Sequence, residues 1–150
     1  MILHKFILMI DMNLFYMREA LKEARKALSE DEVPVGCVIV HNDKIIARAY
    51  NMCERLCDPT AHAEMQAITS ACNYLESKYL NECTIYVTLE PCVMCGGALF
   101  WSKIGAIVYG ARDSKQGMFK MEKNITHPKT KITGGILKEE CAYLLSSFFE

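Results

Sequence analysis

The chain has 150 residues, 51% hydrophobic and 23% charged, the profile of one globular domain large enough to bury a core. A net charge of −1 excludes a generic polyanion binder, and eight cysteines without an export signal or a shortage of apolar residues argue against a disulfide-stapled secreted module. No repeat or low-complexity run divides it.

Residues 1–11, "MILHKFILMID", are apolar but broken by Lys5, too short for a membrane span and without a small-residue cleavage site. They are read as an N-terminal extension, an extra strand or a flexible lead, ahead of a single domain over residues 12–150. A cytoplasmic location without membrane attachment follows. Leu14, Met17, Leu21, Ala24 and Leu28 recur at helical spacing, which predicts an amphipathic helix ending before Pro34 and Gly36. "CVIVHNDKIIARAY" predicts a hairpin turning at His41–Asp43. Its two runs lack strict alternation, so it is expected to be covered on both faces.

A loop over Met52–Thr60 leads to a helix from about Ala61 to Leu75, with Asp58 and Thr60 as expected N-caps. "CTIYVTL" predicts a strand. Pro91, expected at the first helical position, opens the helix "CVMCGGALFWSK". "GAIVYG" predicts another strand, "KTKITGGI" an edge strand and "KEECAYLLSSFF" a closing helix. This alternation predicts an α/β sheet with helices on both faces, binding its ligand where strands feed helix N-termini.

Two such junctions carry chemistry. His62 and Glu64 open one helix; Cys92 and Cys95, three apart and so on one side, open the next. A helix N-terminus favours the anionic thiolate. One histidine and two cysteines make three ligands, which suits zinc with its fourth position open. Zinc brings the pKa of a bound water to about 7, giving hydroxide at neutral pH, and Glu64 beside it is placed to shuttle protons as the catalytic residue. Cys53 and Cys57 are the alternative, as partners in a closed structural site, but that leaves Glu64 without a purpose. A thioredoxin-like use of Cys92 and Cys95 ignores both His62 and Glu64. Cys37, Cys72, Cys83 and Cys141 lie in apolar patterns and are read as core.

His62-x-Glu64 followed by Pro91-Cys92-x-x-Cys95 is the arrangement of zinc nucleobase deaminases. "EVPVGCVIV", "DPTAHAEMQAI", "IYVTLEPCVMCGGA" and "YGARDSKQG" further resemble the bacterial tRNA-specific adenosine deaminases, over about Met17–Gly117 and again from Gly135 to Phe149. The resemblance implies a cytidine deaminase-like fold, a three-layer α/β/α sandwich around a mixed five-stranded sheet. It implies a homodimer with one zinc per subunit. The activity it implies is hydrolytic deamination of adenosine to inosine, with loss of ammonia, at the wobble position of a tRNA anticodon, typically of an arginine tRNA. Carried over by position, Asn51, Val35, Ala63 and Leu89 hold the flipped base, and Asp113, Lys115, Phe148 and Phe149 lie near the anticodon stem-loop.

Each of these residues also has a plainer reading. Asn51 suits a turn, Val35 and Leu89 suit any core, Asp113 and Lys115 suit a polar loop, and one of Phe148 and Phe149 suits a helix's buried side. From Lys103 to Lys131 the cations Lys103, Arg112, Lys115, Lys120, Lys123, Lys129 and Lys131 face only Asp113 and Glu122, a pattern that fits either a solvated surface or a face meeting phosphates. Between Gly117 and Gly134 the chain departs from the family's pattern. Two other functions compete: deamination of a free guanine- or cytosine-type base, nucleoside or nucleotide, and a zinc-stabilised RNA-binding module without catalysis. An intact Glu64 and an open zinc position argue against the last.

Overall fold

A computed structural model describes residues 1–150. In chain order it holds α1 (Ile2–Ser29), β1 (Gly36–His41), β2 (Lys44–Tyr50), α2 (Ala63–Leu75), β3 (Cys83–Leu89), α3 (Val93–Ser102), β4 (Ala106–Ala111), a 3-10 turn (Met118–Lys120), β5 (Lys131–Thr133) and α4 (Lys138–Phe149). The five strands form one sheet in the order β2-β1-β3-β4-β5. β1 is antiparallel to both its neighbours, whereas β3, β4 and β5 run parallel. This is the expected mixed five-stranded sheet.

The pleat explains how one sheet supports two cores. Successive residues of a strand point to opposite faces. Cys37, Ile39, Ile85, Val87 and Ile107 join the cluster beneath α2 and α3. Val38, Val40, Tyr86 and Val108 join the cluster beneath α1 and α4. β1 and β3 are therefore apolar at nearly every position. β2 differs from expectation: it is the sheet's edge, and Lys44 and Arg48 face solvent, so only β1 of the hairpin is fully covered. The turn between them places Asn42 and Asp43 at φ 50° and 59°, the two-residue turn whose twist matches paired strands.

The N-terminal segment is helical rather than an extra strand. No proline or glycine interrupts residues 2–29, so α1 runs back to Ile2. Its first turns, with Ile2, Leu3, Phe6, Ile7 and Leu8, are exposed, and full burial begins at Tyr16. No helix is long and apolar enough to cross a membrane. Gly36 lets α1 approach the start of β1 closely, because a Cβ there would strike the backbone at Ala20 and Ala24. The close fit fixes the chain leading from α1 into β1, which carries Glu32 and Val35 towards the pocket.

Candidate active site and metal centre

His62 and Cys92 are the N-cap residues of α2 and α3, each with extended backbone. An N-cap side chain leaves the helix axis and stands over the first turn, where orphan N–H groups and the helix dipole favour an anion. Neither residue makes a side-chain cap hydrogen bond. Two expectations need correcting here. Neither Asp58 nor Thr60 caps α2; Asp58 Oδ1 accepts from the Thr60 amide at 2.8 Å and hydroxyl at 2.7 Å, closing a local turn. Pro91 precedes the N-cap, and its carbonyl accepts from the Met118 amide at 2.9 Å.

His62 Nδ1 lies 3.6 Å from Cys92 Sγ and 3.5 Å from Cys95 Sγ. All three ligand atoms fall within 4.8 Å of one another. Tetrahedral zinc with ordinary Zn–S and Zn–N bonds separates sulfur from nitrogen by about 3.6 Å, so the donor set fits that ion. Cys53 and Cys57 take no part; their thiols donate to the Pro59 and Glu54 carbonyls. All eight cysteines are free thiols.

Charge at the centre is unevenly shared. Cys92 is pushed down to about 4, first by a hydrogen bond from Cys95 and then by one from His62. Cys95, as the donor to Cys92 and buried besides, is held well above the usual thiol range. His62 is raised, chiefly by its hydrogen bond to Cys92. Glu64 is 4% exposed, and burial pushes its carboxyl up to about 7. A group poised there can both take and give a proton near neutral pH.

A cavity of about 310 Å³ opens onto this centre. Val35, Asn51, Ala63 and Leu89 line it with His62, Glu64 and Cys92. Asn51 is nearly buried, its Nδ2 donating to the Val33 carbonyl at 3.4 Å and its Oδ1 accepting from the Cys53 amide at 3.3 Å. Asp113 and Phe148 line the same cavity. Lys115 and Phe149 do not: Lys115 is exposed, and Phe149 stands 71% exposed, edge-on to Phe148 at 5.0 Å. The basic stretch does not form one face. Lys103, Lys129 and Lys131 line an open cleft against Cys83, Thr84 and Ala106, where β3 and β4 begin, at the end of the sheet away from the pocket.

Of the lining residues that were not anticipated, Gln116, Glu32 and Glu90 bear on the site. Gln116 lines the cavity from the loop after β4; it lies within "YGARDSKQG", where only Asp113 and Lys115 were singled out. Glu32 and Glu90 are buried carboxylates at the pocket wall. Glu32 accepts from the Glu54 and Arg55 amides at 3.0 and 2.8 Å, holding the loop beside Asn51. Glu90 accepts from Arg112 Nε, the Asp113 amide and the Phe119 amide. The available signal was a carboxylate set in an apolar context, in "EVPVG" and in "VTLEPC".

Known proteins share the fold and much of the sequence. A family model for the cytidine and deoxycytidylate deaminase zinc-binding region matches residues 11–111. The chain belongs to this family of zinc-dependent hydrolytic deaminases. Among curated proteins it is similar to a tRNA-specific adenosine deaminase of Bacillus subtilis, 45% identical over 139 residues, covering 89% of this chain and 86% of that one. A solved structure from work on A-to-I editing by tRNA:A34 deaminases matches with a TM-score of 0.80 and 38% identity, over 87% of this chain and 99% of that one. A guanine deaminase from Nitrosomonas europaea matches at TM-score 0.75 and 24% identity, over 89% of this chain and 82% of that one, a likeness of fold alone.

Proposed function

We propose that the protein converts adenosine to inosine at the wobble position of a tRNA anticodon, adenosine and water giving inosine and ammonia. The observation that carries this is the buried Glu64, raised to about 7, beside a three-ligand zinc centre and within a pocket sized for one base. The likeness to tRNA-specific adenosine deaminases supports the choice of substrate. His62, Cys92 and Cys95 would hold zinc, which when bound supplies a Lewis acid that brings the pKa of water to about 7. Glu64 takes the proton of the attacking water, passes it to the ring nitrogen beside the reacting carbon, and carries a second to the departing amino group.

The target base must leave its stack to reach Glu64, and an anticodon loop offers bases already splayed. Val35 and Leu89 then pack on the base, while Asn51 and the Ala63 amide hold its polar edge. Asp113 and Phe148 meet the flanking nucleotides at the cavity mouth, with Lys115 and Phe149 beside them. An arginine tRNA is the proposed substrate and the cytoplasm the proposed location.

We also propose a homodimer. Val93, Phe100 and Trp101 are exposed on α3, the helix that carries Cys95, and Trp101 is 77% exposed. A second copy covering this apolar surface would remove it from water. Wild-type protein should sediment at twice the chain mass and Trp101→Glu at half that; a monomeric wild type would refute the dimer, and a variant that stays dimeric would refute this face.

The deciding experiment incubates zinc-loaded protein with an unmodified tRNA bearing wobble adenosine. Inosine is read as an A-to-G change after reverse transcription, beside ammonia release from free adenine, adenosine, guanine, cytosine and cytidine. Conversion at the wobble position supports the proposal. Ammonia from a small molecule with tRNA untouched would overturn it in favour of a free-base deaminase.

A further inference from the structure

Glu90 takes no part in the chemistry above, yet its carboxylate is 2% exposed and lies two residues before the ligand Cys92. All its partners are donors: Arg112 Nε at 2.9 Å and the Asp113 amide at 3.1 Å to Oε1, and the Phe119 amide at 3.1 Å to Oε2. Its partners thus bracket residues 112–119, the loop that brings Asp113 and Gln116 to the pocket. The backbone supports the same junction. Met118 donates to the Pro91 carbonyl, and Cys92 and Gly117 form an isolated antiparallel bridge. Gly117 lies so close that a Cβ there would strike both the Glu90 carboxylate and the Asp113 carbonyl, although its φ of −69° suits any residue. Arg112 closes the arrangement from outside, its guanidinium 5.6 Å from the Phe119 ring centroid.

We propose that Glu90 is a positioning residue for the deamination: it binds the 112–119 loop to the edge that carries Cys92, so that the metal centre and one wall of the substrate pocket form one rigid unit. A neutral side chain would not do this. A carboxylate accepts through both oxygens, whereas the amide nitrogen of glutamine would face a backbone N–H with nothing to accept it. The inference rests on the tRNA-deaminase reading for its kinetic arm only.

The test uses Glu90→Gln in the full chain, zinc-loaded, with Gly117→Ala as a second route to the same displacement should the first variant fail to fold. Zinc content should remain one per chain, since His62, Cys92 and Cys95 are untouched. KM for the tRNA should rise about tenfold, the factor carried by one lost charge-assisted hydrogen bond, with kcat changed less than about threefold. Amide hydrogen exchange at Asp113 and Phe119 should quicken by at least about tenfold, while Ile85 and Ile107 in the sheet keep their wild-type protection. Unchanged exchange at Asp113 and Phe119 would overturn the proposal. So would uniform acceleration across the sheet with KM unaltered, the mark of a general loss of stability. If wild-type protein leaves tRNA untouched, the substrate reading has failed, and the exchange measurement still decides whether Glu90 fixes the loop.

Discussion

Where β3 runs into α3, Glu32, Glu64 and Glu90 are buried around one pocket with His62 and Cys92. At the other end of the same sheet, where β3 and β4 begin, Lys103, Lys129 and Lys131 stand exposed around an open cleft. The first set is held by named donors at fixed distances, or perturbed by burial as Glu64 is. The second is solvated, and its field is screened within about 10 Å at ordinary ionic strength. Density of charge along the sequence is thus a poor guide to where charge acts. What counts is whether burial leaves the group a specific partner and a task.

Glu64→Ala should give the largest separation of the two ends. Inosine formation should fall by about a thousandfold or more, the range of a lost general acid–base group, with zinc content unchanged by metal analysis. Retained activity would remove Glu64 from the proton path and leave the buried carboxylates without a chemical distinction. Asn51→Ala should cost less, about ten- to a hundredfold in kcat/KM, as expected for the loss of a hydrogen-bonding group facing a buried base. A loss confined to thermal stability, with kcat/KM intact, would return Asn51 to a loop-forming role, for which its bonds to Val33 and Cys53 are already sufficient.

The smallest effect belongs to the far end. Lys103→Ala, Lys129→Ala and Lys131→Ala together should leave kcat/KM on an anticodon stem-loop within about twofold, and leave the slope of affinity against salt unchanged, since those side chains release no counterions from the bound segment. A shallower slope would mean that this end also meets the RNA, and the two ends would no longer be separable.

The sequence made the chemistry more legible than the surroundings that support it. His62, Cys92 and Cys95 could be read because metal coordination demands particular residue types at particular helical spacings, and Glu64 because an open metal position calls for a proton carrier beside it. The sheet could be read because β1 and β3 are apolar on both faces. Glu90 could not, since its partners Arg112, Asp113 and Phe119 are brought to it only by the parallel pairing of β3 with β4. The cap of α2 was misassigned for a related reason. Asp58 has the right side chain for a cap, but a turn to Thr60 uses it first, and the chain reaches helical geometry only after His62. The basic stretch was adjacent in sequence and divided in space, because it spans β4, which crosses the sheet from one end to the other.

The starts of α2 and α3 have a further consequence. A serine, threonine, asparagine or aspartate at an N-cap stabilises a helix by about 1 kcal/mol over a residue that makes no cap bond. Both helices forgo that contribution at His62 and Cys92, two of the three residues placed to hold the metal. The fold is therefore less stable than its own backbone would allow at these two helix starts. Cys92→Ser should raise the melting temperature of metal-stripped protein while ending deamination, as seen by calorimetry beside the inosine assay. A thermostability screen run on metal-stripped protein would therefore select against the metal centre, whereas zinc bound to the folded chain reverses that pressure.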